Sequence, residues 1–171
     1  RLDTDQWLAA AQAAGARYAI FTATHHQGFL QWQSDLYPFG LKQVDWRDGK
    51  GDIVADFVAS CHKVNIAPGL YIGIRFNAYW QVYNYQVNGG QGGDPEKHAR
   101  YMRVCQQMVE ELCRRYGPLC EIWFDGGVLT AEQGGPDVVP IVDRYQPDTI
   151  FYHSGQRAHH RWAGSCLLYT S

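Results

Sequence analysis

The stretch IWFDGG, residues 122–127, places a carboxylate at the end of an otherwise apolar run. A tryptophan stands two residues before it and two glycines follow. Side chains alternate faces along a strand, so Trp123 and Asp125 share one face and Ile122 and Phe124 the other. A ring beside a carboxylate suits a sugar: the ring covers an apolar C–H patch while the carboxylate reaches the reacting carbon. In the competing reading Asp125 caps the turn that follows, because Asp-Gly is a common turn pair. The strand alone leaves both readings open.

Other groups that could do chemistry stand at the ends of apolar runs: His25-His26, Arg75 and His153. Two histidines at one rim can hydrogen-bond neighbouring hydroxyls of a polar ligand. They are adjacent, so in an extended strand they fall on opposite faces. Two metal ligands on one strand would more naturally be His-x-His, unless a kink at the strand end brings the rings together. No metal and no cofactor is expected on this ground. A metal-dependent hydrolase built on His25, His26, His153 and Asp125 remains a rival reading. His159-His160 falls in a polar loop and reads as solvated or structural, and Arg161-Trp162 as a cation–π or packing pair.

The elements that must carry these groups alternate. Residues 4–16 have Thr4 or Asp5 as an N-cap candidate, helical apolar spacing and Gly15 as a stop. A strand is predicted over 17–24, a helix over 52–65 and a strand over 67–74. A Gly- and Asn-rich loop then runs to Asp94, which caps a helix with proline at its first position, reaching Tyr116. A strand over 120–125, a helix over 136–145 with Pro140 near its start, and a strand over 148–154 complete the pattern. Strands alternating with helices imply an α/β fold with a parallel sheet. Four such units make a fragment, about half, of a (β/α)8 TIM-type barrel; an open doubly wound sheet is the alternative. No phosphate-binding GxGxxG follows any strand, and NGGQGGD lacks the GK[ST] ending of a P-loop.

Composition narrows the function classes. Of 171 residues, 46% are hydrophobic and 19% charged, which is globular rather than disordered. A net charge of -2 offers no basic surface for nucleic acid. Eleven tyrosines, seven phenylalanines and six tryptophans fit either an aromatic core or sugar-binding ring faces. The five cysteines form no CxxC pair and have no zinc-ligand spacing, so they decide no redox compartment. No apolar run has transmembrane length. Arg1 directly precedes a helix start and reads as an internal beginning.

Together these segments resemble the catalytic domain of the α-L-fucosidases, glycoside hydrolase family 29. QWLAAAQAAGARYAIFTATHHQGFLQWQS resembles the family's QW…AGAKY…TAKHHDGF.LW.S, GLYIGI its GLYYS-like strand, and ELCRRYGPLCEIWFDGG its EL…YGP…WFDG segment. The resemblance spans Trp7 to about Ser165. It implies that Asp125 is the nucleophile of a retaining hydrolysis, and that His25, His26, Trp32, Tyr71 and Trp123 bind the sugar. The partner is then a fucosylated glycan, and the compartment lysosomal, secreted or periplasmic. Thr24 stands where the family usually has Lys, Gln27 where it often has Asp, and Ile72 where a second tyrosine is frequent. A catalytically inactive fucose-binding relative is the alternative.

A retaining mechanism needs a second carboxyl group about 5–5.5 Å from the first. Glu121 and Glu132 are the nearby glutamates. The resemblance implies a segment like RWxGSExG after the fourth strand, whose glutamate is the acid/base in some relatives, and RWAGS (161–165) matches it until Cys166 stands in place of the glutamate. The ending CLLYTS is the translation of TGTCTCTTATACACATCT, a transposon end used in preparing sequencing libraries. Residues 1–165 are therefore expected to be a partial catalytic barrel and 166–171 a non-native tail, and the chain alone is expected to be inactive.

Overall fold

The computed structural model describes residues 2–88 and 93–161. Four strands form a parallel sheet in the order β1-β2-β5-β6: β1 (Tyr18–Thr24), β2 (Ala67–Ile72), β5 (Glu121–Val128) and β6 (Ile150–Ser154). The helices α1 (Thr4–Ala13), α2 (Ile53–Lys63), α3 (Pro95–Arg115) and α4 (Val139–Tyr145) alternate with them. Between β2 and α3 a small antiparallel hairpin pairs β3 (Val82–Tyr83) with β4 (Gln86–Val87).

The helix starts follow from capping. Asp52 accepts from the Ala55 amide, and Asp94 accepts from the Glu96 and Lys97 amides with Pro95 at the first turn. In α1 the cap is Asp3, which accepts from the Gln6 amide, so the helix begins one residue earlier than a Thr4 cap and two earlier than an Asp5 cap would allow. Thr4 is buried and bonds Ser60 of α2 instead.

The strand between the predicted 120 and 125 runs further, through both glycines to Val128. The hairpin was invisible to the turn rules. Its two turn residues, Asn84 and Tyr85, both have positive φ, 47° and 70°, where a two-residue turn favours Asn-Gly.

One face of the sheet is sealed. Leu70, Ile122, Phe124 and Phe151 are each 0% exposed and belong to one core with Tyr101, Val104, Met108 and Leu112, spaced along α3 at helical intervals. The register of β2 on β5, Leu70 opposite Ile122 and Tyr71 opposite Trp123, turns Tyr71, Glu121, Trp123 and Asp125 to the other face. Tyr101 donates to the Ile74 carbonyl at 2.7 Å, tying α3 to the segment just past β2. No helix among the described residues is long and apolar enough to cross a membrane.

Phe124 is the largest side chain in the helix-facing layer of β5, packed 5.5 Å from Phe151 between ring centroids. Phe124→Ala should cost about 3–5 kcal/mol in denaturant unfolding. A loss below about 1 kcal/mol would contradict this packing.

Candidate active site

Asp125 sits where β5 loses its regular pairing. The register between β5 and β6 slips between Trp123 and Val128, and this irregular stretch contains the two glycines. Gly126 and Gly127 have φ of 71° and 86°, in the region where a Cβ is strained. Space excludes a side chain as well. A Cβ at Gly126 would lie 2.5 Å from Arg75 Nη1, and one at Gly127 would lie 2.8 Å from His153 Cε1. The glycines therefore let Arg75 and His153 close on the backbone beside the carboxylate.

Tyr71 leaves β2 on the same face and donates its hydroxyl to Asp125 Oδ2 at 2.9 Å. Its phenol is pushed well above the ordinary range, chiefly by burial and then by the hydrogen bond to Asp125, so it remains a donor. Trp123 packs edge-on to Tyr71 at 5.7 Å, and His25 lies 5.5 Å from the same ring. Strand β1 ends at Thr24, and His25 to Gly28 form a turn closed by the Gly28 amide on the His25 carbonyl. In that turn the adjacent histidines stack, with centroids 4.0 Å apart and planes 13° apart. The opposite-face expectation for an extended strand gives way because the strand has already ended.

Burial holds the pKa of His26 below the usual imidazole value. His25 and Arg75 add to that, while Asp125 opposes it. His153 is lowered by burial and by His160, again against Asp125. A neutral imidazole offers one donor and one acceptor, which suits hydroxyl recognition.

The structure thus gathers His25, His26, Tyr71, Trp123 and Asp125 at one rim, with Arg75 and His153 beside them. Trp32 does not join them. It is 0% exposed and donates its indole N–H to Glu111 of α3 at 2.8 Å. A ring with no exposed surface has no face for a ligand, so Trp32 is a core residue and leaves the expected sugar-binding set.

His159 and His160 are structural, the former accepting the Phe151 amide at 3.0 Å and the latter stacking on Tyr152 at 4.3 Å. Glu121 lies 3.5 Å from His160, its pKa raised by burial. Glu132 is exposed and accepts from Gln156 at 3.0 Å. Among the described residues no group of three or more His, Cys, Asp or Glu side chains is placed to hold a metal ion. Trp162 and the segment 163–171 lie outside the described residues. Tyr85, whose hydroxyl reaches the Gly126 and Gly127 carbonyls, was not anticipated.

A family profile described as Alpha-L-fucosidase matches residues 1–166. The chain belongs to the α-L-fucosidase family. It is 28% identical over 167 residues to Alpha-L-fucosidase 1 of Arabidopsis thaliana, covering 95% of this chain and 30% of that protein. A crystal structure from Bacteroides thetaiotaomicron VPI-5482, assigned to the α-L-fucosidases, aligns with a TM-score of 0.91 and 54% identity, over 96% of this chain and 37% of that one. A glycoside hydrolase 29 family member from an unknown rumen bacterium aligns at 0.76 and 27% identity, over 96% and 30%. The chain thus spans about a third of the length of these relatives. The α/β architecture with its parallel sheet is the one found in these structures.

The lowered pKa of His26 has a pH signature. Between the folded value and the unfolded value of about 6.5, the unfolded chain binds the extra proton. Stability contributed by this residue is therefore lost as pH falls below about 6.5. In an NMR titration the His26 ring protons should show an inflection below 6.5; one above it would contradict the burial described.

Proposed function

We propose that the polypeptide containing this chain is a retaining α-L-fucosidase that removes terminal α-L-fucose from glycoconjugates, with Asp125 as its nucleophile. In this reading residues 1–165 supply about half of a (β/α)8 catalytic barrel, and residues 166–171 are foreign to it. The observation that carries the reading is the Asp125 carboxylate at the end of β5, held by the Tyr71 hydroxyl and flanked by Trp123 and the stacked His25–His26 pair.

The chemistry follows from that placement. A carboxylate oxygen of Asp125 attacks the anomeric carbon, and the bond from that carbon to the leaving oxygen breaks. The leaving oxygen takes its electron pair and a proton from a second carboxylic acid. Water, deprotonated by the same group, then cleaves the fucosyl ester and restores Asp125. The Tyr71 hydroxyl holds one carboxylate oxygen and leaves the other to attack. The imidazoles of His25 and His26 would meet the sugar hydroxyls, and the Trp123 ring its apolar face.

The acid is neither nearby glutamate. Glu121 precedes Asp125 by four residues on the same strand, which separates them by about 13 Å where about 5–5.5 Å is required. Glu132 is exposed and engaged by Gln156. The reading therefore takes the acid from beyond Ser165 in the parent protein, where the family resemblance implies a glutamate after an RWxGS segment.

Support for the half-barrel reading comes from the sheet. Among the described residues β1 and β6 are the outer strands of the sheet, covered at their free edges only by local loop contacts from Gln31 and from residues 157–159, and Tyr18 and Ile150 on these strands are 59% and 43% exposed. Open edges with exposed apolar residues favour association between chains. Residues 1–171 produced alone should aggregate on size exclusion and release no 4-nitrophenol from its α-L-fucoside. Turnover by a monomeric 171-residue chain would overturn the half-barrel reading.

The nucleophile is tested in the intact polypeptide. Asp125→Ala should lower kcat/KM on 4-nitrophenyl α-L-fucoside by roughly a thousandfold or more, with the circular dichroism unchanged. Added azide should restore release of 4-nitrophenolate and yield β-L-fucosyl azide, because a single displacement inverts the anomeric carbon. Unchanged activity in Asp125→Ala would sink the mechanism. A folded wild type that binds fucose without turnover would indicate the inactive, sugar-binding alternative.

A further inference from the structure

The β3–β4 hairpin leaves the segment after β2 and returns to the strand that carries Asp125. Both of its turn residues are engaged there. Asn84 Oδ1 accepts from Arg75 Nε at 2.9 Å, and the Arg75 guanidinium lies against the space a Cβ would fill at Gly126. The Tyr85 hydroxyl reaches the carbonyls of Gly126 and Gly127, the latter at 3.0 Å. Its ring lies beneath the Arg75 guanidinium, 5.6 Å from the ring centroid.

The turn itself is costly to build this way. Tyr85 has φ of 70°, a conformation that glycine adopts freely and a tyrosine does not. The side chain at this strained position does what glycine could not. Here it supplies a hydroxyl aimed at the two carbonyls that follow Asp125. Those carbonyls belong to the stretch where β5 has lost its regular ladder with β6, so the sheet does not hold them. The two glycines free that stretch to adopt its shape and also leave it soft. A hydroxyl has one proton, so Tyr85 shares it between both acceptors and spans the flexible peptide.

We propose that Tyr85 is a positioning residue: its hydroxyl, with Arg75 and Asn84, clamps the Gly126–Gly127 backbone and thereby fixes the Asp125 carboxylate for attack. This rests on the fucosidase reading for its consequence, though not for its geometry. Tyr85 touches no reacting atom. It acts through the backbone, and a displacement near 1 Å at a reacting group is enough to cost orders of magnitude in rate.

The test is Tyr85→Phe in the intact polypeptide, which removes only the hydroxyl and keeps the ring under Arg75. The expected result is a kcat lowered roughly tenfold or more, a KM within about twofold, and a Tm within a few degrees of the wild type. A ring that serves only packing would leave kcat unchanged, and that outcome overturns the proposal while leaving Asp125 as nucleophile. A crystal structure of Tyr85→Phe supplies a readout independent of turnover. The Gly126–Gly127 backbone should shift or become markedly less ordered relative to the wild type. An unmoved, equally ordered backbone would overturn the clamp. If the wild type has no fucosidase activity, the functional reading fails, and the crystallographic comparison still decides the clamp.

Discussion

The pairing of β2 with β5 is the constraint on which the site depends. Leu70 opposite Ile122 and Tyr71 opposite Trp123 set which face each residue of both strands presents. A slip by one residue would turn Tyr71 from the rim and drive it into the layer under α3. The slip is prevented from the helix side. Leu70, Ile122 and Phe124 are fully buried there against α3, and no polar replacement fits that layer. The functional face is thus specified by the apolar face behind it.

Regular pairing alone would not produce the site. At Asp125 the sheet gives up its ladder, and the lost backbone order is replaced by side chains from elsewhere in the chain. Arg75 and His153 close on the glycines, Tyr71 holds the carboxylate, and Tyr85 reaches the exposed carbonyls. The irregularity places a charged group at a rim with a defined orientation, which a straight strand running into a free turn would not achieve. The same economy explains the aromatic content. Tyr101, Phe124 and Phe151 fill the core, whereas Trp123, Tyr71 and the two histidines form a connected set of rings at the rim. Composition held both readings of the aromatics; the core reading is met in the helix-facing layer, and the rim rings form a separate set.

The electrostatics of the rim are mixed rather than uniformly acidic. Asp125 lies among Arg75, His26 and His153, yet burial outweighs its charge at both histidines and keeps them neutral more readily than in water. Neutral imidazoles beside a carboxylate offer one donor and one acceptor each without pairing with the anion as cations. That balance is a property of packing, since the same residues in solvent would titrate near their ordinary values.

The sequence by itself determined the order of elements, because periodicity, capping and punctuation act locally. Asp94 caps where the sequence places it, and the alternation of strand and helix already implies a parallel α/β sheet. It also drew notice to Asp125 and the histidine doublet at the ends of apolar runs, although only the family resemblance assigned them roles. Only the tertiary structure decided which of them meet. Trp32 was indistinguishable from a ligand-binding ring until its indole was found against Glu111, because burial depends on what packs from afar. The stacking of His25 on His26 depended on the turn that follows β1, which ends at Thr24, two residues short of the extended strand that alternation would need. Tyr85 carried no sequence signal at all, because its partners lie more than forty residues away and a tyrosine in a tight turn violates the local rule that would have placed glycine there.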